Sequence, residues 1–462
     1  MPLPVPIGRQ REVVVFPPRG HLVVLGTAGS GKTTMAIHRA AFLANENTDH
    51  GGRTLLVTFN RALLAYLEHL RPPELGNVDV WNYHRFARGY LATRDRMGYD
   101  WIAPDMQRNN LIAEARVKVR EHATHHAVLD RPIDFFLAEI RYMLQHGLVD
   151  LTAYVAADRV GRAPLDRASA RPIVFAVYEA YHGLRQEGGW RYDWDDVALA
   201  VRDELKVDDS PRMYRHVVID EGQDFSPAMV QSLALAIPDG GSLSFFGDVA
   251  QQIYGRGISW RSAGLRVRAT KEFSHNYRNS PQIADLGLAI ADMPFFRDQS
   301  DMVRPTGFAA EGPPPTLVRF ADEAAETKFV IEQARESARS GSTAVLVRRH
   351  ADEGRFKRAF RDAQHLHRDL AVWLPDAGIS YGVVHAAKGF EFDTVIVVGL
   401  SNDRWPEPQA VAGDGEEEAL AMDGRLLYVA VTRARQNLIL TVCGSLTRLL
   451  PDRPELWTEV SQ

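Results

Sequence analysis

Residues 26–34 read GTAGSGKTT, and no other stretch limits the possible folds of this chain so tightly. Gly26, Gly31, Lys32 and Thr33 stand at the four fixed positions of the phosphate-binding loop pattern. An apolar run, HLVVLG at 21–26, leads into the glycines, and an Ala-rich amphipathic stretch, TTMAIHRAAFLA at 33–44, leads out. A strand that enters such a loop and a helix that leaves it turn the backbone N–H groups, those of Ala28, Gly29, Ser30 and Thr34 among them, toward a bound anion. The positive end of the helix dipole adds to that field. Lys32 is then expected to reach terminal phosphates, and Thr33 to hold Mg²⁺.

The rest of the chain repeats the theme. RTLLVTF at 53–59, VDVWNY at 78–83, YRHVVID at 214–220 and LSFFGD at 243–248 are short apolar runs bounded by turn residues, the signature of parallel strands alternating with helices. A second series follows: STAVLVR at 342–348, ISYGVVH at 379–385, DTVIVVGL at 393–400, a helix from about 417 and LILTVC at 438–443. The fold class is α/β, with two P-loop-type lobes. Between about 85 and 205 strand-like runs are scarce and helical periodicity, rich in Arg, His and aromatic residues, takes over. The expected division is residues 1–84 and 206–268 for the first lobe, 85–205 for a helical insertion, and 269–462 for the second lobe. The join is placed in the basic stretch 261–272, and 304–316 is read as a loop of the second lobe. Asp414 and Glu416–Glu418 read as a solvated loop and helix start.

Composition removes several classes of function. The single cysteine, Cys443, excludes an intrachain disulfide and a thiolate metal cluster. The start, MPLPVPIGRQ, lacks the pattern of an export signal, and no apolar run is long enough to span a bilayer, so a cytoplasmic protein without membrane contact is expected. Lys plus Arg number 54 against 59 Asp plus Glu, a formal charge of −5. That balance rules out a uniformly basic nucleic-acid coat but leaves room for a local basic groove.

Phosphoryl chemistry also needs a carboxylate beside the loop. IDEGQD at 219–224 supplies two: Asp220 closes the apolar run VVI, as a metal-orienting residue should, and Glu221 is placed to polarise an attacking water. Taken alone, an Asp-Glu pair after a strand is an ordinary solvated turn. Following a P-loop and joined by Gln223 and Asp224, it reads as catalytic.

These residues and those that follow resemble, in order, the motifs of superfamily 1 helicases of the UvrD, Rep and PcrA type. Gln10 in GRQREVV is similar to the family's adenine-reading glutamine. TFNRAL at 58–63 and YHRFA at 83–87 resemble the motifs after the second and third strands, DEGQD fits DExQD, and GDVAQQIY at 247–254 corresponds to GDxxQSIY. In the second lobe HNYRNS at 275–280 resembles QNYRS, VVHAAKGFEF at 383–392 is close to TxHxAKGLEF, and LLYVAVTRAR at 426–435 nearly repeats the last family motif. The resemblance implies two RecA-like lobes with ATP and Mg²⁺ between them. It implies Gln251 as γ-phosphate sensor, Tyr277 stacked on adenine, Glu391 on the nucleotide, and Arg278 and Arg433 as arginine fingers. Lys32, Asp220 and Glu221 complete the catalytic set, with Thr33 and Asp220 as metal ligands.

For the partner strand the resemblance implies single-stranded DNA, RNA not being excluded by these residues, on aromatic platforms flanked by cations and hydroxyls. Phe59, Tyr254 and Trp194 are the expected platforms, with Thr58, Asn60, His84, Arg85, His385 and Lys388 beside them. Two departures stand out. GRG at 255–257 lacks the ring that family members carry after QQIY, and only about 35 residues separate VLVRR at 345–349 from VVHAAKG, where the family inserts a mobile domain. The implied function is an ATP-dependent 3′→5′ translocase or helicase. The alternative is an ATP-gated regulatory subunit partnered with a nuclease in a DNA repair or phage-defence complex. A P-loop kinase would explain neither NYR, HAAKG nor TRAR.

Overall fold

The computed structural model describes residues 3–26, 29–59, 64–65, 76–122, 126–159, 162, 164–248, 265, 267–273, 275–276, 279–296, 307–308, 312–367, 370 and 378–462. In the first lobe the strands are β1 (Gly20–Gly26), β2 (Thr54–Thr58), β3 (Val78–Asn82), β4 (His216–Ile219), β5 (Ser242–Gly247) and β6 (Val267–Phe273). They form one parallel sheet in the order β3-β2-β4-β5-β1-β6. Parallel strands covered on both faces are buried at every position, as β2, β4 and β5 are, and are largely apolar, with polar side chains such as His216 and Ser242 bonded to each other. The two-residue repeat then assigns the faces. Val23, Leu25, Leu55, Val57, Val217 and Ile219 point to one core, whereas Leu22, Val24, Leu56, Val218 and Phe246 point to another, against the helix Lys32–Ala44.

The insertion is helical, with its longer helices at Asp105–His122, Ile133–His146 and Ala170–Glu187. It has no core of its own. Phe136, Ile140, Val174, Tyr181 and Leu205 belong to the same buried cluster as the first face of the sheet.

The second lobe follows a two-residue ladder, β7 (His275–Asn276) with β8 (Gly307–Phe308). Its strands are β9 (Thr316–Phe320), β10 (Thr343–Val347), β11 (Gln364–Leu366), β12 (Ile379–Val383), β13 (Phe392–Val397), β14 (Ala434–Cys443) and β15 (Thr458–Ser461). The order is β11-β12-β10-β13-β14-β9-β15, again parallel. Between β10 and β12 the described residues hold one helix, His350–Lys357, and the short β11, so no further domain is inserted there. Among the described residues no helix is long and apolar enough to cross a membrane.

Besides the two-residue β7 and β8, four strands lie outside the apolar runs. β6 alternates half-buried and exposed residues, and it extends the first sheet to Phe273, past residue 268, so its membership follows from pairing with β1. β15 is exposed along its length, β11 has three residues, and in β9 the apolar pair Leu317–Val318 is followed by Arg319, which bonds Glu459 of β15. Edge strands need no continuous apolar run, and so escape a search for one.

Because the insertion and the sheet share a core, Phe136→Ala is expected to cost about 3–5 kcal/mol. Chemical denaturation should show the insertion and the first lobe losing structure in one shifted transition. A separate early transition for the insertion alone would contradict the shared core.

Candidate active site and nucleic-acid groove

A P-loop works only if its glycines can take conformations that a side chain forbids. Gly29 and Gly31 both have left-handed backbones, φ 79° and 82°. At Gly26 a Cβ would fall 2.5 Å from Ser30 Oγ. The loop closes on its own lysine: Lys32 is buried, and its Nζ donates to the Gly26 carbonyl at 2.8 Å and lies 3.7 Å from Asp248 Oδ2. Gln10 packs against the same loop, its Nε2 donating to the Ser30 carbonyl at 3.3 Å. Thr34 follows on the first turn of the helix Lys32–Ala44.

Sheet order does the rest. Because β4, β5 and β1 are neighbours, their C-terminal ends deliver Asp220, Asp248 and the P-loop to one place, as ligand sites of open parallel sheets require. Asp220 is fully buried and accepts from Thr33 Oγ1 at 3.4 Å, while its Oδ2 has no hydrogen-bond partner among the described residues. Burial and the adjacent Glu221 push its carboxyl up to about 8, against the Thr33 bond. A buried, unpartnered carboxylate oxygen beside a threonine hydroxyl is an oxygen-donor set that fits Mg²⁺.

Glu221 has φ 51° and ψ 44°, a left-handed backbone that costs a non-glycine residue on the order of 1–3 kcal/mol and is held by its surroundings. Burial alone would raise its carboxyl. Lys32, Lys388, Arg433 and the Gln223 amide outweigh that effect and keep it below the usual carboxylate range. Gln223 ties the turn together, donating from Nε2 to Glu221 and accepting at Oε1 from the Asp248 amide at 2.9 Å.

Two of those cations come from the other lobe. Arg433, at the end of the helix Glu416–Thr432, is buried, with Nε on the Val429 carbonyl at 3.1 Å and Nη1 on that of Phe390 at 3.3 Å. Lys388, expected on the nucleic-acid strand, has its ammonium on Asp224 of the DEGQD turn, and both side chains are buried. Glu391 stands beside Arg435, 3.1 Å from its Nη2. His385 is close to Lys388; burial, with Arg348, Lys388 and His350 nearby, pushes its imidazole down to about 4. Ala28, Asn60, Gln251, Tyr254, Tyr277 and Arg278 lie outside the described residues.

Of the expected nucleic-acid residues, four come together. The Phe59 ring lies 5.6 Å from His84, and His84 meets Trp194 edge to face at 4.9 Å between centroids. His84 and Arg85 begin the helix Tyr83–Ala92, capped by Asn82, whose Oδ1 accepts from the Arg85 amide at 2.8 Å. His84, Arg85 and Trp194 line a cavity of about 740 Å³ whose lining also includes Leu370 of the second lobe. Thr58 ends β2 with its hydroxyl buried and without a hydrogen-bond partner among the described residues. Thr58, His385 and Lys388 do not line the cavity.

Trp194 is held from behind. Asp193 Oδ1 accepts from the amides of Asp195 and Asp196 at 2.7 and 3.1 Å, and Asp196 Oδ1 returns a bond from the Asp193 amide at 2.9 Å. Buried Arg185 spans both carboxylates, at 3.2 Å from Asp193 and 2.6 Å from Asp196. Missed by the sequence reading, and visible in it only as the pair of aspartates beside Trp194, this lock makes the turn rigid.

The family model described as the UvrD/REP helicase N-terminal domain matches residues 8–277, and that of the UvrD-like helicase C-terminal domain matches 375–445. The "ATP-dependent DNA helicase UvrD2" of Mycobacterium tuberculosis is 26% identical over 94% of this chain and 78% of its own length. A "Probable DNA helicase" of Mycoplasma pneumoniae is 21% identical over 94% of this chain and 83% of its own length. "DNA helicase IV" of Escherichia coli is 26% identical over 48% of this chain and 33% of its own length.

Arg185→Met removes the buried cation that Asp193 and Asp196 share and is expected to cost about 3–5 kcal/mol. Burial and Asp193 push Asp196 up to about 8, against Arg185, so the folded protein keeps a proton there that the unfolded chain has lost. Its contribution is full below about pH 4 and is lost as pH rises toward about 8. Melting temperatures across that window should fall more steeply for the wild type than for Asp196→Asn; parallel curves would remove Asp196 from the balance.

Proposed function

The chain belongs to the UvrD-like helicase family, and from that premise we propose that it is an ATP-dependent motor on single-stranded DNA, moving 3′→5′. The observation that carries this reading is the meeting of the two lobes on one carboxylate. Glu221 faces Lys32 from its own lobe and Lys388 and Arg433 from the other. Hydrolysis that needs cations from both lobes depends on how the lobes sit, which is how chemistry becomes motion.

ATP binds with its phosphates on the P-loop amides and Lys32. Gln10 receives the adenine edge and Tyr277 its face. Thr33 and Asp220 would hold Mg²⁺, which supplies charge neutralisation at the phosphates when bound. Glu221, kept ionised by its cations, accepts a proton from the attacking water, and Gln223 orients that carboxylate. Gln251 senses the γ-phosphate. Arg278 and Arg433 offset the charge that develops on the transferred group. The DNA strand follows the groove of Phe59, His84, Arg85 and Trp194.

A second reading has one specific observation behind it, the bare connection between β10 and β12 where other family members carry a mobile domain. On that reading the protein is an ATP-gated regulatory subunit partnered with a nuclease, without autonomous unwinding.

Steady-state ATPase with and without oligo(dT) tests the motor. Stimulation by DNA is expected, with a loss of at least about 100-fold in Glu221→Gln and of similar size in Lys32→Ala and Arg433→Ala. Equal rates with and without DNA would remove the translocase reading, and stimulation by oligo(U) alone would move the substrate to RNA. Strand displacement on a 3′-tailed duplex separates the two readings: unwinding by the isolated protein excludes the purely regulatory role.

A further inference from the structure

The groove has a second wall that no motif names. The helix Tyr83–Ala92 turns His84, Arg88 and Ala92, spaced four residues apart, toward the cavity, with Arg85 and Gly89 beside them. Tyr99, 91% exposed, lines the same cavity. Its turn is not loose: a Cβ on Gly98 would fall 2.6 Å from Trp101 Nε1, so the backbone before Tyr99 lies directly on the Trp101 ring, which Arg191 covers at 5.0 Å.

Charge identifies the occupant. No carboxylate lines the cavity among the described residues. The arginines that follow on this segment are paired, Arg94 with Asp208 at 2.5 Å and Arg96 with Glu204 at 3.4 Å. Arg85 and Arg88, the two that face the cavity, make no ion pair with any described residue. Unneutralised guanidinium groups and an exposed aromatic ring lining one cavity, the ring carried on a turn packed against Trp101, are the elements of single-strand recognition: cations for phosphates, a π-face for a base.

We propose that Arg88 and Tyr99 form an additional nucleotide subsite on the insertion side of the groove, Tyr99 stacking on one base and Arg88 holding a phosphate. It extends the track of His84, Arg85 and Trp194 and provides a platform in a chain whose GRG segment lacks one. The proposal rests on the reading of this groove as a single-strand path.

Fluorescence anisotropy of the full-length protein with labelled oligo(dT), titrated with salt, tests it. Tyr99→Ala is expected to weaken binding on the order of 10-fold, and Tyr99→Phe to restore it, since stacking needs the ring and not the hydroxyl. Arg88→Gln should weaken binding and lower the slope of log K against log salt by about 0.7, the loss of one phosphate contact on a single strand. Gly89→Glu keeps these losses from being mistaken for unfolding. A Cβ there meets nothing within 4 Å and the position is helical, so the substitution should hold or raise the melting temperature while placing negative charge in the groove and weakening binding. Wild-type affinity and salt slope in Tyr99→Ala and Arg88→Gln would overturn the subsite and leave the path intact. Failure of the wild type to bind any oligonucleotide, or binding of acidic peptides in its place, would overturn both.

Discussion

Two consecutive buried carboxylates cannot both stay charged without cations to face them, and the layout of this protein answers that requirement. Asp220 and Glu221 leave β4 side by side in a site closed to water. The first lobe supplies Lys32, and the remaining cations near Glu221 are Lys388 and Arg433, carried by the second. Burial raises both carboxyls and Glu221 raises Asp220 further, which Lys32 and the Thr33 bond do not offset; at Glu221, Lys32 together with Lys388 and Arg433 outweighs burial. Asp220 is placed for a hard metal ion by its unpartnered oxygen beside Thr33, and Glu221 is kept ionised, the form that can accept a proton. A pair of like groups divided by environment into different roles is a recurrent solution in active sites.

The same requirement explains why the lobe seam is dry and polar at one place and open at another. Near the carboxylates, Lys388 and Asp224 are buried against each other, a contact between the HAAKG segment and the DEGQD turn. Farther along, Arg85 and Arg88 face a cavity in which no carboxylate stands among the described residues. A protein with formal charge −5 thus still presents two such cations in one groove, where low-dielectric walls make each count for more than it would on an open surface.

What the sequence made legible and what it did not divides along a physical line. The P-loop and DEGQD could be read because their chemistry depends on spacing within a few residues and on an apolar strand just before them. The α/β class was legible for the same reason, since central parallel strands such as β2 and β5 are buried on both faces and carry short, mostly apolar runs. β6, β11 and β15 were not, because an edge strand owes its place to a neighbour, nor was β9, whose apolar pair is cut short by Arg319 facing the edge strand β15. The position of Lys388 was beyond local reading as well. Its motif suits a nucleic-acid contact, and only the pairing of lobes puts it on Asp224. Arg88 and Tyr99 lie between these cases. The repeat of His84, Arg88 and Ala92 is visible in the sequence, but that the face they share looks into a cavity is a tertiary fact.

The insertion deserves a different description from the one its sequence implies. A helical stretch of some 120 residues between two strands reads as a separate body. Its aromatic residues nevertheless pack on the first sheet, and Arg185 fixes the turn that carries Trp194 at the groove. A rigid attachment has a mechanical consequence. If the first lobe and its insertion move as one unit, the groove widens or narrows only against Leu370 and the second lobe. The motion that brings Arg433 and Lys388 toward or away from Glu221 is then the same motion that changes the grip on whatever lies along His84, Arg88 and Tyr99. Coupling between hydrolysis and binding would need no relay through the protein, because both sites are made of the two sides of one seam.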